Sequence, residues 1–348
     1  MVNSGHYTSL DLSISILTWN TREFLKSCLD SIYQRTRRIK FEIIVVDNGS
    51  HDGAAEMLRR DYPDVVLIRN ETNLGFTAGN NQAFRRSLGR YVLLLNSDTE
   101  IREGALDRLV EVMDRDPDVG IGVPKMFYPD GKLYLSIHPR FPDPLSSLSE
   151  RSFLTEKFPN GSCVDHFRKR YFFTSESDYT QDRDIAWGLG AAMMARRTAV
   201  DQVGILDEGF FAFFEEIDWC LRFKNAGWKV RYYHEPVVVH HTAGSLRQDY
   251  DRITAIWHRS RFYFYQKHYS WRDRLLLKLI VAPGILIRLI KLLFSLGKAS
   301  DSKRKEIVQT LKTYGRIFMS AIVSFSAMTT RRTSERVMEG KSGSDNAS

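Results

Sequence analysis

Residues 41–50 read FEIIVVDNGS, an apolar run rich in β-branched side chains that ends abruptly in Asp, Asn, Gly and Ser. Such a run favours a buried strand, and the polar group that follows it is typical of a turn. Other apolar runs of this kind occupy residues 13–18, 65–68 and 91–95, and helical patterns occupy residues 24–33, 54–60, 82–87 and 105–113. Alternating strands and helices predict an α/β fold, with a mostly parallel sheet that helices cover on both faces.

Polar residues follow the predicted strands directly and mark one edge of the sheet. The three groups are Thr18-Trp19-Asn20, Asp47-Asn48-Gly49-Ser50 and Asn96-Ser97-Asp98, with glycine-containing turns predicted at 73–76 and 78–81. Each group alone fits an ordinary turn, because Asn, Asp, Gly and Ser are the usual turn residues. Ligands of such sheets gather beyond the carboxyl ends of the strands, so the groups together predict one binding crevice.

The chemistry of these groups suits a nucleotide diphosphate sugar. Asp98, at a strand end, could hold a Mg²⁺ or Mn²⁺ ion that neutralises the diphosphate as its bond to the sugar breaks. Asn96 stands where a second carboxylate is common, so weak metal binding with several waters is expected. Asp47 can accept a hydrogen bond from a pyrimidine edge. A close approach of backbone to nucleotide is expected at Gly75, Gly79 and Asn80.

A second acidic cluster, Glu215-Glu216-Ile217-Asp218, precedes a helical pattern that ends at Gly227. Acidic residues in a first helical turn can simply complement the helix dipole. The aromatic run FFAFF at 210–214 could exclude water and raise the basicity of a carboxylate. Direct displacement at a sugar C1 needs a general base for the acceptor hydroxyl, and Glu216 is the predicted base with Asp218 in reserve.

The acceptor is expected beside this base. Small residues next to an aromatic side chain at 187–192, WGLGAA, could shape an acceptor pocket, although tight core packing explains them nearly as well. Residues 136–182 lack periodicity and are rich in Pro, Ser and Phe, so a loop insertion is predicted there. The predicted acceptor-binding residues are Trp187, Gly190, Ala191 and Glu215.

These motifs together resemble the family 2 glycosyltransferases with an inverting GT-A fold, and most closely their rhamnosyltransferase-like branch. The resemblance runs from about residue 12 to residue 244. It rests on six ordered motifs, LTWN at 17–20, IVVDNGS at 44–50, NLGF at 73–76, LNSDTE at 95–100, FEEIDWC at 214–220 and HH at 240–241. Two positions depart from the usual family pattern, because Trp19 stands where Tyr is usual and Glu216 where Asp is usual.

The resemblance implies a Rossmann-like GT-A domain, with deoxythymidine-diphosphate rhamnose as the donor. Four residues would then hold the nucleoside, namely Thr18, Asn20, Asp47 and Asn80. His240 would complete the metal shell of Asp98. The whole predicted nucleotide-sugar site comprises Thr18, Trp19, Asn20, Asp47, Asn48, Gly75, Gly79, Asn80, Asn96, Ser97 and Asp98.

Charge is distributed unevenly along the 348 residues. Residues 1–245 carry 30 Lys and Arg against 34 Asp and Glu, a net −4, whereas residues 246–348 carry 20 against 8, a net +12. A basic C-terminal part points to an anionic surface, either membrane lipid or nucleic acid. The apolar run 275–296 carries three cations within an arc of about 140°, and Pro283 near its centre. An interfacial helix pair, broken at Pro283, is therefore predicted on the membrane.

The predicted organisation has five parts: a disordered N-terminus (1–10), a nucleotide-sugar half (11–125), an acceptor and base half (126–245), a basic membrane-associating helical region (246–329) and a disordered tail (330–348). No secretory signal is readable, and three widely spaced cysteines suit a reducing compartment, so the inner face of the cell membrane is expected. The predicted function is sugar transfer to a lipid-linked or growing saccharide acceptor in cell-envelope polysaccharide assembly, without nucleic acid. A UDP-sugar transferase, a nucleotidyltransferase and a non-catalytic membrane-binding protein are the alternatives.

Overall fold

A computed structural model of the chain describes residues 10–148, 170–171, 173, 175–242, 250–297 and 301–322. Its contacts divide the chain into two compact units, residues 1–280 and 281–348. The segments predicted to be disordered, 1–10 and 330–348, lie outside the described residues except for Leu10, and so does much of the predicted insertion.

The first unit is an α/β domain. Its front half contains β1 (Leu12–Thr18), α1 (Arg22–Arg35), β2 (Phe41–Asp47), α2 (Ala54–Asp61), β3 (Val66–Arg69), α3 (Phe76–Arg86), β4 (Tyr91–Asn96), β5 (Thr99–Ile101), α4 (Ala105–Arg115) and β6 (Val119–Phe127). Its back half contains β7 (Ile137–His138), β8 (Arg183–Asp184), β9 (Trp187–Gly188), β10 (Ala192–Arg196), α5 (Arg197–Val203), α6 (Glu215–Asn225), β11 (Lys229–His240) and α7 (Tyr250–His268).

One nine-stranded sheet carries this unit, with strand order β3-β2-β1-β4-β10-β6-β11-β5 and β8 beside β11. Strands β3, β2, β1 and β4 are parallel, β10 is antiparallel to both of its neighbours, and β11 runs parallel to β6. The buried runs of β1, β2 and β4 are nearly continuous, as strands covered on both faces require. The predicted α/β class and mostly parallel sheet are therefore confirmed.

Helix α3 begins at Phe76, six residues before the predicted start, so residues 78–81 are helical and the turn predicted there is wrong. Gly and Asn have low helix propensity, and tertiary contacts override it here. A Cβ atom on Gly79 would lie 2.4 Å from Leu17 Cδ1, which shows how closely α3 packs on β1. The Asn80 amide bridges the same interface, because its Oδ1 accepts from Ser15 Oγ at 2.9 Å.

The described part of the predicted insertion contains β7 and short 3₁₀ turns at Pro144–Leu148 and Glu176–Tyr179. Strand β7 pairs antiparallel with β9, which follows the insertion. The α7 helix, assigned from its charge to the membrane region, belongs to the first compact unit. Its aromatic residues pack on the segment before α6, so tertiary contacts decide its place where net charge could not.

Two further helices follow, α8 (Trp271–Leu296) and α9 (Asp301–Ile322). Helix α8 continues through Pro283, so the predicted break at that residue is wrong. A proline removes one backbone hydrogen bond, and an otherwise apolar helix can tolerate this loss. By length and composition α8 could cross a membrane, and only 11% of its most apolar window is buried. In the second unit, the Arg288 guanidinium lies 4.8 Å from the centre of the Tyr314 ring.

Candidate active site

The turn after β4 brings a carboxylate against a histidine. Strand β11 pairs with β5, which places His240 opposite Thr99 and next to this turn. The Asp98 Oδ1 and His240 Nε2 atoms lie 3.2 Å apart, and Asn96 Nδ2 lies 3.5 Å from the same ring nitrogen. His241 points the other way, and its Nε2 lies 2.9 Å from Glu100 Oε1. Of the two adjacent histidines, His240 is thus the one that faces Asp98.

These side chains fit a divalent cation. Asp98 and His240 are both buried, and Asn96 Oδ1 has no hydrogen-bond partner among the residues that the structure describes. Carboxylate oxygen, amide oxygen and imidazole nitrogen are ligands that Mn²⁺ accepts, and Mg²⁺ favours the oxygens. No group of three or more His, Cys, Asp or Glu residues that could hold a metal occurs in the described part of the chain. Diphosphate oxygens and water would therefore have to complete the shell.

Hydrogen bonds join the three strand-end turns. The Thr21 hydroxyl bonds to those of Thr18 and Ser97, each at 2.9 Å, and so links the end of β1 to the turn after β4. The Asn20 backbone N–H donates to Ser50 Oγ at 3.0 Å, which links the turns after β1 and β2. Asn20 has φ 54°, a left-handed conformation that is uncommon outside glycine. Trp19, between these contacts, is half-buried.

Asp47 offers a buried acceptor at this edge. Its Oδ1 accepts from the Ser50 backbone N–H at 2.9 Å. Its Oδ2 lies 3.6 Å from Arg69 Nε and has no hydrogen-bond partner within the described ranges. Arg69 ends β3 and is exposed, so a planar ring could reach both groups. Arg69 was not predicted from the sequence, although it ends a parallel strand as Asp47 does, and ligands gather at such strand ends.

Four other residues of the predicted nucleotide-sugar site support its loops. Asn48 Nδ2 donates to Gly75 O at 3.1 Å, while Asn48 Oδ1 accepts from the Leu74 backbone N–H at 3.2 Å. Gly75 has φ +94°, and a Cβ there would lie 2.6 Å from Phe211 O. The next backbone N–H, of Phe76, donates to this same oxygen at 2.7 Å. Gly79 and Asn80 lie on the face of α3 that packs against β1, so these four residues support the crevice through packing.

The acidic cluster begins α6. Phe213 and Phe214, which precede it, both have φ 68°, a strained conformation for bulky residues. Glu215 and Glu216 are buried, and the Oε2 atom of each has no hydrogen-bond partner in the part of the chain that the structure describes. Burial raises the pKa of Glu216 to about 7. Burial and the charge of Glu216 hold the pKa of Glu215 well above its usual range.

Asp218 lies in a different environment, and its predicted reserve role as base does not fit it. It is fully buried and contacts two cationic side chains and a histidine, with Arg222 Nε at 2.8 Å and Lys267 Nζ and His268 Nε2 at 2.7 Å each. Burial alone would raise the pKa of Asp218, but the hydrogen bonds from His268 and Lys267 and the charge of Arg222 lower it to about 2. A carboxylate held in this way is a weak proton acceptor.

The predicted acceptor segment, residues 187–191, lies between Glu216 and the turn after β4 that carries Asp98, which is called the metal turn below. A Cβ on Gly190 would lie 3.3 Å from Glu216 Cβ, and Ala191 O accepts the Asn96 backbone N–H at 2.9 Å. Trp187 stacks on His138, with ring centres 3.6 Å apart and planes within 4°. Burial lowers the pKa of His138 to about 4, so the ring under Trp187 is neutral at pH 7. One face of the Trp187 ring therefore packs on His138, and because the residue is only half-buried, part of it is still open to a ligand.

Comparison with known proteins agrees with this geometry. An N-acetylglucosaminyl-diphospho-decaprenol L-rhamnosyltransferase of Mycobacterium tuberculosis is 28% identical over 273 residues, which cover 75% of this chain and 86% of that protein. The low-salt glycan biosynthesis hexosyltransferase Agl10 of Haloferax volcanii is 28% identical over 231 residues, 61% of each chain.

A crystal structure of GalNAc-T7 with UDP, GalNAc and Mn²⁺ has a TM-score of 0.51 and 16% identity to this chain. The match covers 74% of this chain and 50% of that one, so it concerns about half of that protein and shows the GT-A fold alone. The family model described as Glycosyl transferase family 2 matches residues 13–204, more than half of the chain. The protein is therefore a glycosyltransferase and belongs to family 2.

Proposed function

We propose that this chain is an inverting transferase that moves rhamnose from deoxythymidine-diphosphate rhamnose to a lipid-linked or growing saccharide acceptor in cell-envelope polysaccharide synthesis. Glu216 carries the proposal, because it is a buried carboxylate with a raised pKa, beside the small residues next to the metal turn. The M. tuberculosis relative, named for rhamnosyl transfer to N-acetylglucosaminyl-diphospho-decaprenol, supports rhamnose as the transferred sugar and a lipid-linked acceptor.

In the proposed reaction, Glu216 Oε2 takes the proton of the acceptor hydroxyl as the acceptor oxygen attacks the sugar C1. The new C–O bond forms on the face opposite the breaking bond to the diphosphate, which leaves with its electron pair, so the configuration inverts. Asp98, His240 and the Asn96 amide would hold a divalent cation. When bound, the cation supplies neutralising charge to the leaving diphosphate.

Asp47 supports a pyrimidine nucleotide. Its buried Oδ2 can accept the ring N–H that thymine and uracil share, and the neighbouring Arg69 can donate to a ring carbonyl. Because the shared edge does not separate the two bases, a UDP-sugar is the second candidate donor. The aromatic and small residues at 187–191 would contact the acceptor sugar.

Helix α8 supports attachment to the inner face of the cell membrane. At about 100° per residue, its exposed apolar side chains fall within an arc of about 140°. Four of its cations, Arg274, Lys278, Arg288 and Lys291, fall outside that arc, as expected for a helix lying in an anionic interface, whereas Arg272 in the first turn falls inside it. The exposed apolar side chains are Trp271, Leu275, Leu276, Leu279, Leu286, Ile290, Leu293 and Phe294.

A product assay tests the function. The full chain is incubated with Mn²⁺, a panel of dTDP-, UDP- and GDP-sugars, and polyprenyl-diphosphate acceptors, and products are analysed by mass spectrometry and NMR. We expect transfer from dTDP-rhamnose with inverted anomeric configuration, and none with Glu216→Gln. Release of sugar 1-phosphate from the donor would indicate a nucleotidyltransferase, because the nucleoside monophosphate would then pass to the acceptor. Donor binding with neither transfer nor hydrolysis across the panel would refute the proposed activity.

A further inference from the structure

Helix α7 lies beyond the residues that match the family model, yet it packs on the segment leading to the base. Ser260 Oγ donates to Ala212 O at 2.7 Å. The rings of Trp257 and Phe264 lie 5.8 and 5.6 Å from the ring of Phe214, the residue just before α6. Helix α7 therefore covers the backbone that turns into α6.

The last turn of α7 joins α6 through charge. Lys267 Nζ lies 2.7 Å from Asp218 Oδ1 and 2.5 Å from Asp207 Oδ2. It therefore connects the first turn of α6 to the segment between α5 and α6, in which Asp207 lies. His268 Nε2 lies 2.7 Å from the same Asp218 oxygen. From within α6, Arg222 occupies Asp218 Oδ2 and also donates to Val203 O and Ile205 O, at 3.1 and 2.9 Å. These contacts tie the first turn of α6 to three separate segments of the chain.

Such ties are needed at this position. Two consecutive bulky residues with positive φ persist only where the surroundings determine the backbone strongly. Glu216 follows Phe214 by two residues and precedes Asp218 by two, so a small rotation of this turn would displace the carboxylate. Proton transfer requires the base within hydrogen-bond reach of the acceptor hydroxyl, and a displacement of about 1 Å can reduce the rate about 100-fold.

We propose that Lys267 and His268 are positioning residues for the glycosyl transfer, which act through Asp218 to hold the first turn of α6 and the base that it carries. The inference rests on Glu216 being the base. It makes α7 part of the active site, and it gives Lys267 and His268 of the C-terminal part a role in the reaction.

The test uses full-length Lys267→Met, His268→Leu and His268→Gln, because glutamine keeps an N–H donor where leucine has none. Lys229→Met is the matched control, since Lys229 forms an exposed ion pair with Asp118 at 3.4 Å on the surface. Donor affinity is measured by calorimetry, transfer by kcat and KM, and folding by thermal unfolding. We expect Lys267→Met and His268→Leu to lose at least tenfold in kcat, with donor affinity within twofold of the parent. His268→Gln should recover most of the loss.

Unchanged kcat in folded Lys267→Met and His268→Leu would overturn the inference. So would equal losses in donor affinity and kcat, or unfolding of both variants at the assay temperature, because these results indicate a purely structural role. Glu216→Gln, measured in parallel, separates the two hypotheses. If it retains transfer, the base assignment itself fails. If it is inactive while His268→Leu matches the parent, only the positioning inference fails.

Discussion

Replacing Glu216 by glutamine should abolish transfer and, above neutral pH, stabilise the fold. Burial raises the pKa of Glu216 from 4.5 to about 7, so the folded chain binds this proton more tightly than the unfolded chain. The resulting stabilisation is present below pH 4.5 and is lost as pH rises through 7. The difference corresponds to about 3 kcal/mol, at about 1.4 kcal/mol per pH unit. Glutamine escapes that loss, and it also relieves Glu215 of a neighbouring charge.

Urea unfolding at several pH values between 5 and 8.5, with kcat measured alongside, would check this prediction. Relative to the parent, the free energy of unfolding of Glu216→Gln should rise by about 2.5 kcal/mol between pH 5 and pH 8. Its kcat should fall by about 100-fold or more. In the parent, kcat/KM should fall about tenfold per pH unit below pH 7, as the base becomes protonated.

Asp218→Asn is the matched control, with the opposite sign. The pKa of Asp218 is lowered to about 2, because cationic partners outweigh the effect of burial. Its contribution is therefore present above pH 3.8 and is lost as pH falls through 2, so Asp218→Asn should be less stable by about 2 kcal/mol at pH 7.

A stability difference between Glu216→Gln and the parent that stays constant with pH would refute the assignment of a buried, neutral-pH base to Glu216.

Three further predictions concern the metal turn, the loop contact and α8. Asp98→Asn should abolish Mn²⁺-dependent donor binding in calorimetry while leaving the thermal unfolding midpoint within a few degrees, and unchanged donor binding would exclude Asp98 as a ligand. Gly75→Ala should lower the free energy of unfolding by about 2 kcal/mol or more, because φ and the Phe211 oxygen both oppose a Cβ, whereas Gly131→Ala, with φ +84° and open space, should cost less. Leu293→Glu should weaken sedimentation of the protein with anionic liposomes. Leu88→Glu is the control and should not, since Leu88 is exposed on the first unit. Equal binding by both variants would argue against a membrane-facing α8.

The part of the site that could be predicted from the sequence lies at the carboxyl ends of the parallel strands. Parallel strands end at a common edge, so Thr18, Asp47 and Asp98 could be grouped from their positions after apolar runs alone. The start of α3 could not be predicted, because Gly79 and Asn80 are weak helix formers whose helical state depends on contacts with β1.

Long-range contacts account for most of the remaining differences. Lys267 and His268 lie about fifty residues after Asp218 in the sequence. The sequence of the basic C-terminal part does not show which basic residues contact a buried carboxylate and which face solvent or lipid. Acidity likewise could not distinguish Glu216 from Asp218. Burial raises the pKa of Glu216, whereas hydrogen bonds from His268 and Lys267 of α7 and the charge of Arg222 lower that of Asp218, and these contacts depend on tertiary packing.

The hydrogen bond between the Phe76 backbone N–H and Phe211 O, with Gly75 beneath that oxygen, has an evolutionary consequence. The segments around Gly75 and Phe211 meet there through main-chain atoms, and the Phe211 ring also lies against Gly75, so this contact leaves no room for a side chain at position 75. A chimera that takes residues 205–240 from a relative must inherit the matching turn and first helical turn at 73–79 as well. New acceptor specificities in this lineage should therefore arise by point substitution around Trp187 and Gly190 more readily than by exchange of whole halves.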